Sequence, residues 1–349
     1  MNPAVRDAID AMEAYAPGEQ PQGGKFIKLN TNENPYPCSH RVRLAIERAC
    51  AGGLSRYPDP TASAFRHRAA DLLGVSPDAI LCGNGSDDLL TIVTRTFVGE
   101  GQRIRFPSPS YVLYRTLAEI QGARFDQIRF QPDWTLGADF VAPIDDLRLV
   151  YLANPNSPSG TALSPESVLR MARQLPCPLL VDEAYADFSA SSCVELVAEE
   201  PRIVVSRSLS KSYSLAGLRF GYMVAHPDLV RQLNKVKDSY NCDSLSIAGA
   251  TAAIDDQVWL AETRAKIITT RGRLTAQLRR LGFDPVESQA NFVWSPHPRR
   301  EVHSLYQRLK AEGVLVRYMN YPDWGEGLRI SVGTDSQVDA CLALLEDML

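Results

Sequence analysis

An α/β fold is predicted: a large domain on a mostly parallel, doubly wound sheet, followed by a smaller α+β domain. Two patterns point there. From about residue 60 to 235, short apolar runs alternate with helical stretches, which is how parallel strands and their crossover helices read in sequence. After about residue 240 the alternation stops and a long helical stretch begins. The length, 349 residues, accommodates two domains at about 150 residues each.

The elements follow in order. Residues 1–30 carry Pro17-Gly18 and Pro21-Gln22-Gly23-Gly24 and read as a short helix plus an extended arm. A large domain is expected over 31–240. A helix at 62–73 precedes a strand at 79–82, and Gly83-Asn84-Gly85-Ser86 opens a helix running to about Val98. Strands are expected at 103–106, 124–130, 149–152, 178–181, 203–205 and 220–225. Ser108-Pro109-Ser110 is expected to cap a helix. Ser164-Pro165 starts another, with serine at the cap and proline in the first turn. The small domain, 241–349, opens with one long helix over 245–281 ending at Gly282. Strands follow near 290–294, 314–317 and 328–332.

Composition excludes several classes. The net charge is -4 and the isoelectric point about 5.8, so neither nucleic acid nor an anionic membrane is an expected partner. The start of the chain has no apolar signal region, and no apolar run approaches the roughly 18 residues of a membrane span. A cytoplasmic location is expected. Seven cysteines include no CxxC pair, and five histidines form no HExxH, so no metal is expected. No GxGxxG follows a strand, which removes support for a dinucleotide-binding protein.

In open α/β sheets ligands sit beyond the carboxyl ends of the strands, and four such ends carry polar chemistry. Gly83-Asn84-Gly85-Ser86-Asp87-Asp88 places free backbone N–H groups at a helix start, where a phosphate can bind. Asn154-Pro155-Asn156-Ser157-Pro158-Ser159-Gly160 forces irregular backbone and leaves amide side chains for a cleft. Asp182 ends an apolar strand, where a carboxylate needs a cationic partner. Ser208-Leu209-Ser210-Lys211, with Arg219 eight residues on, offers two hydroxyls, an amine and a guanidinium. That set suits a cofactor bearing an aldehyde and a phosphate. Taken singly, each segment also reads as ordinary capping, loop or surface chemistry.

Together they resemble the fold-type I pyridoxal-phosphate enzymes, specifically the class I/II aminotransferases and, among these, the histidinol-phosphate branch. The resemblance runs from LNTNENPYP at residues 29–37 through SRYPDP, DEAYADF and SLSKSYSLAGLRFGY to LRISVGT at 328–334. It implies that Lys211 is joined covalently to the aldehyde of pyridoxal 5'-phosphate and then serves as general base. Asp182 is implied to pair with the pyridine nitrogen, Tyr185 to hydrogen-bond the phenolic oxygen, and Tyr111 to stack on the ring. Ser208, Ser210, Arg219 and the amides of Ser86 and Asp87 are implied to hold the cofactor phosphate. Tyr57 is implied to reach the phosphate of a neighbouring subunit, hence a homodimer with shared active sites. Arg329 and Arg317 match substrate arginines, and Tyr15 a tyrosine near the substrate.

One departure stands out. The family's usual pair of asparagines before Pro-Thr-Gly is Asn156-Ser157 here, so Ser157 or Asn156 replaces the asparagine that normally supports the phenolic oxygen. The implied reaction moves an amino group between histidinol phosphate and 2-oxoglutarate by a ping-pong route in histidine biosynthesis. Threonine-phosphate decarboxylase and aromatic amino-acid aminotransferase share the lysine motif and stand as alternatives.

Overall fold

The computed structural model describes residues 4–13, 18–20 and 26–349. Among the described residues twelve strands fall in chain order: β1 (Ile27–Lys28), β2 (Ile80–Gly83), β3 (Arg103–Ser108), β4 (Arg124–Arg129), β5 (Leu147–Ala153), β6 (Leu179–Asp182), β7 (Ile203–Ser208), β8 (Gly221–Val224), β9 (Phe292–Pro296), β10 (Val314–Leu315), β11 (Arg317–Tyr321) and β12 (Gly325–Ser331). Seven of them form the main sheet in the order β2-β8-β7-β6-β5-β3-β4. β8 runs antiparallel to both its neighbours and the other pairings are parallel.

The central strands β6 and β7 are buried at every position, as strands covered on both faces must be. One face packs around Phe65, Phe140 and Phe220, with the amphipathic helix Ser63–Leu73 supplying Phe65. The other packs around Phe106, Tyr114 and Tyr151. A third core lies among the C-terminal elements, around Leu274, Leu309 and Ile330, and takes in Leu29 from the N-terminal segment. That segment is tied there by backbone bonds: β1 pairs with β10, Leu29 N–H donates to Leu315 (2.7 Å), and Ser331 N–H donates to Leu29 (2.9 Å).

Several expectations change. The long helix expected over 245–281 is two helices, Ser244–Ile254 and Gln257–Arg280. Asp256 makes the break: its carboxylate caps the second helix at Trp259 N–H (3.4 Å) and also takes the hydroxyl proton of Ser39. Ser39 in turn caps the helix His40–Ala51, which sequence reading did not anticipate. The cap expected at Ser108-Pro109-Ser110 is absent. The helix begins at Leu113 with no side-chain cap, and Ser110 Oγ donates instead to Asn156 Oδ1 (2.8 Å). The strand expected over 314–317 is divided between β10 and β11. Ser164 caps the helix Pro165–Gln174 as expected. No helix among the described residues is long and apolar enough to cross a membrane.

Candidate active site

The carboxyl ends of β5, β6 and β7 open on one cavity of about 930 Å³, closed on its far side by β11 and β12. The start of β8 reaches the same level, because Gly221 is paired with both Gly83 and Ser208. Lys211, Asp182, Tyr185, Tyr111, Ser86, Asp87, Ser208, Ser210, Arg219, Ser157, Arg317 and Arg329 all line this cavity. Residues dispersed over some 240 positions of sequence thus face one space.

Asp182 ends β6 and is buried, not at the surface. Its donors among the described residues are neutral: Tyr114 hydroxyl (2.9 Å), Ser206 hydroxyl (3.2 Å) and Ala184 N–H (3.3 Å). Burial pushes its pKa up to about 6, against the pull of the two hydroxyls and with the Asp87 carboxylate adding to the rise. Tyr114 is itself driven well above the ordinary phenol value, first by burial and then by Asp182, so it remains a donor. A buried carboxylate fed only by neutral donors suits a ligand that brings a cation.

Lys211 lies in the turns after β7, held by Leu209, Leu215 and Phe220 in the core beneath. Its Nζ donates to Thr31 carbonyl (3.2 Å) and stands 5.9 Å from the Tyr185 ring centroid. The Tyr185 ring packs edge-on against Phe292.

The anion end is built around the helix Gly85–Phe97, whose cap position, Asn84, supplies no side-chain acceptor. Its first N–H groups are therefore open to an anion. Gly85 has φ +79°, and a Cβ there would stand 2.5 Å from Arg219 Nη2. A Cβ on Gly221 would stand 2.8 Å from Ser86 N. Both glycines keep this cradle open. Arg219, itself at φ +52°, reaches Ser210 Oγ and Asp87 Oδ2, each at 3.4 Å. Tyr111 hydroxyl is directed to the other oxygen of Asp87 (3.1 Å). An amine, a buried carboxylate awaiting a cation and an open anion cradle together match the donor set that a phosphorylated pyridine aldehyde requires.

On the opposite wall, Arg317 and Arg329 are direct cross-strand partners in β11 and β12. Like charges set side by side repel, and an anion between them would relieve that repulsion. Arg329 donates to Ser157 Oγ and Asn30 carbonyl, both at 3.1 Å, and its guanidinium lies over Phe292.

Two sequence-predicted residues are not brought to this cavity, and a third falls outside the described residues. Asn156 is buried and its amide is used within the loops, to Ser110, Pro109 carbonyl and Ser159; Ser157 takes the cavity-facing position. Tyr57 is 81% exposed and stacks on Tyr240 with centroids 4.4 Å apart, outside the cavity lining. Tyr15 lies outside the described residues. Two residues were missed by sequence reading, Asn32 and Tyr114. Tyr114 had a visible signal, since Tyr111 and Tyr114 stand three apart at a helix start and meet edge to face.

Among the described residues no group of His, Cys, Asp and Glu is placed to hold a metal ion. The family profile described as "Aminotransferase class I and II" matches residues 24–345. The chain is 55% identical over 342 residues to the histidinol-phosphate aminotransferase of Rhodopirellula baltica, covering 98% of this chain and 94% of the relative. It is 41% identical to that of Geotalea daltonii, covering 99% of each. The crystal structure of histidinol-phosphate aminotransferase from Sinorhizobium meliloti in complex with pyridoxal-5'-phosphate superposes with a TM-score of 0.89 at 27% identity, covering 100% of this chain and 99% of that one. An aspartate aminotransferase from Thermotoga maritima, at 19% identity and a TM-score of 0.82, shares the fold over 93% of this chain and 92% of that one. With sequence, fold and cavity in agreement, this chain belongs to the class I and II aminotransferases.

Proposed function

We propose that this chain transfers an amino group between histidinol phosphate and 2-oxoglutarate, using pyridoxal 5'-phosphate held at Lys211. One observation carries the reading: an amine, a buried carboxylate and an anion cradle face a paired set of arginines across a single cavity. Bound there, the cofactor supplies an aldehyde that captures amines and a cationic ring that stores the electron pair left when a proton leaves the substrate carbon.

The chain's own groups divide the remaining work. Arg219, the hydroxyls of Ser208 and Ser210, and the N–H groups of Ser86 and Asp87 hold the cofactor phosphate. Asp182, ionised against the ring nitrogen, keeps that nitrogen protonated. Tyr111 covers the ring and Tyr185 donates to its phenolic oxygen. Once freed, the Lys211 amine would take the proton from the substrate carbon and return it to the carbon on the far side of the transferred nitrogen.

Arg317 and Arg329 receive the substrate phosphate, a dianion suited to two planar guanidinium groups. They also serve the carboxylate of the 2-oxo acid in the second half of the cycle. R317Q and R329Q are each expected to raise KM for histidinol phosphate by about 10- to 100-fold, the worth of a charge-assisted contact, with a smaller change in kcat. Steady-state kinetics of each variant check this. Unchanged KM would remove the phosphate assignment. Faster turnover of phenylalanine than of histidinol phosphate would favour an aromatic aminotransferase instead, and carbon dioxide release from threonine phosphate would favour a decarboxylase.

Residues 31–240 form the cofactor-binding domain of this proposal and 241–349 the smaller domain. The working unit is a cytoplasmic homodimer in which Tyr57 serves the neighbour's site. An exposed tyrosine stacked on another exposed one, away from its own cavity, supports that reading. Mixing inactive K211A with an impaired Y57A variant is expected to restore activity, because a hybrid dimer has one site with both native residues. No recovery on mixing would mean that sites are not shared.

A further inference from the structure

Resting on the function proposed above, we infer that Asn32 is a positioning residue that fixes the direction in which the Tyr185 hydroxyl donates. Asn32 is 1% exposed and sits at φ +56°, a left-handed conformation that asparagine tolerates better than most residues. Its backbone is committed. The N–H donates to Ser331 Oγ (2.8 Å) and the carbonyl accepts from Asn291 Nδ2 (2.9 Å). Its side chain bridges the C-terminal sheet and the cavity: Oδ1 accepts from Ser331 Oγ (3.0 Å) and Nδ2 donates to Tyr185 hydroxyl oxygen (3.0 Å).

Donor arithmetic then fixes the sense of each bond. The backbone N–H of Asn32 can only donate, so Ser331 Oγ accepts it and has one proton of its own to give. Among the described residues the acceptor within reach of that proton is Asn32 Oδ1, and the opposite amide orientation would leave the proton without one, so the NH₂ end of the amide is turned toward Tyr185. Tyr185 oxygen must accept from that NH₂, and its single proton is left to point elsewhere. Tyr185 lines the cavity, so the proton is directed at an acceptor there, and the phenolic oxygen of the cofactor is such an acceptor. In this chain the role has added weight. The loop position that commonly offers an asparagine amide to that oxygen is Ser157, a shorter side chain with a single proton to give, whose Oγ accepts from Arg329.

The test titrates the visible absorbance of the lysine-bound cofactor against pH, without substrate, in wild type, N32D, Y185F and N32D/Y185F holoenzymes. An ionised aspartate is nearly the same shape as asparagine but can only accept. It draws the Tyr185 proton away from the cavity and raises the midpoint of the titration. The expected rise is about one to two pH units, the value of one hydrogen bond to a charged oxygen. The Y185F background retains any direct effect of the new charge, so the rise there is expected to be smaller by about one unit. Equal rises in both backgrounds, or none in either, overturn the inference. N32G tolerates the same backbone angle and provides a second comparison. It is expected to raise the midpoint with Tyr185 present and to leave it unchanged in Y185F; a merely structural role would lower stability and leave both midpoints alone. The wild-type spectrum tests the cofactor reading, and the comparison between backgrounds tests Asn32.

Discussion

Replacement of Lys211 by alanine is expected to lower kcat by roughly 10⁴-fold or more, because one side chain supplies both the covalent attachment and the proton transfer. The protein itself should be little affected. Among the described residues the lysine makes a single hydrogen bond, to Thr31 carbonyl at 3.2 Å, so the change in unfolding free energy should stay within about 1 kcal/mol. Rate and visible spectrum are measured on the cofactor-loaded enzyme, and stability on the cofactor-free protein, because bound cofactor itself stabilises the fold. K211A should lose the lysine-bound absorbance, and without cofactor it should retain the unfolding midpoint of cofactor-free wild type. An enzyme that kept activity within tenfold of wild type would exclude the residue.

Asp182→Asn is expected to separate activity from stability. An amide cannot hold a cation at the ring nitrogen, so kcat should fall by about 10³-fold, comparable to removal of a preorganised electrostatic partner. Without cofactor the same change should stabilise the protein above pH 6. The sign follows from the ionisation of Asp182. Burial raises its folded pKa to about 6 from an ordinary 3.8. Its contribution to stability is therefore complete below about pH 4 and is lost as pH rises toward 6. A rise of about two units corresponds to a cost on the order of 3 kcal/mol above that window. Urea unfolding of cofactor-free D182N at pH 8 should show a gain on the order of 1–3 kcal/mol over wild type, and at pH 4 little gain. Bound cofactor should reverse the order, because its cation satisfies the wild-type carboxylate. A variant less stable than wild type at pH 8 without cofactor would mean that Asp182 is satisfied by the protein alone.

Much of this site was legible because its parts fall where chemistry interrupts apolar periodicity. Asp182 is a carboxylate ending an otherwise apolar strand, and Ser208 ends another buried strand with Ser210 and Lys211 just after it. The antiparallel course of β8 was not legible, since a run of four buried residues reads the same in either direction. The interruption between residues 254 and 257 was hidden because Asp255 and Asp256 fit a helix surface by composition. Only the tertiary bond from Ser39 shows why Asp256 turns to capping. Tyr114 and Asn32 escaped for a related reason. Each acts through a partner far away in sequence, Asp182 in one case and Tyr185 and Ser331 in the other. Asn156 misled for the converse reason: an asparagine in an irregular loop reads as free for a ligand, yet Ser110, Pro109 and Ser159 use its whole amide.

The central claim is that one amine, that of residue 211, carries the cofactor. Reducing the purified holoenzyme with borohydride makes the link permanent, and mass spectrometry of its peptides then locates it. The account predicts the added cofactor mass on the peptide containing Lys211, with the remaining lysines unmodified. A cofactor adduct on any other lysine, or a yellow protein yielding no lysine adduct, would contradict it.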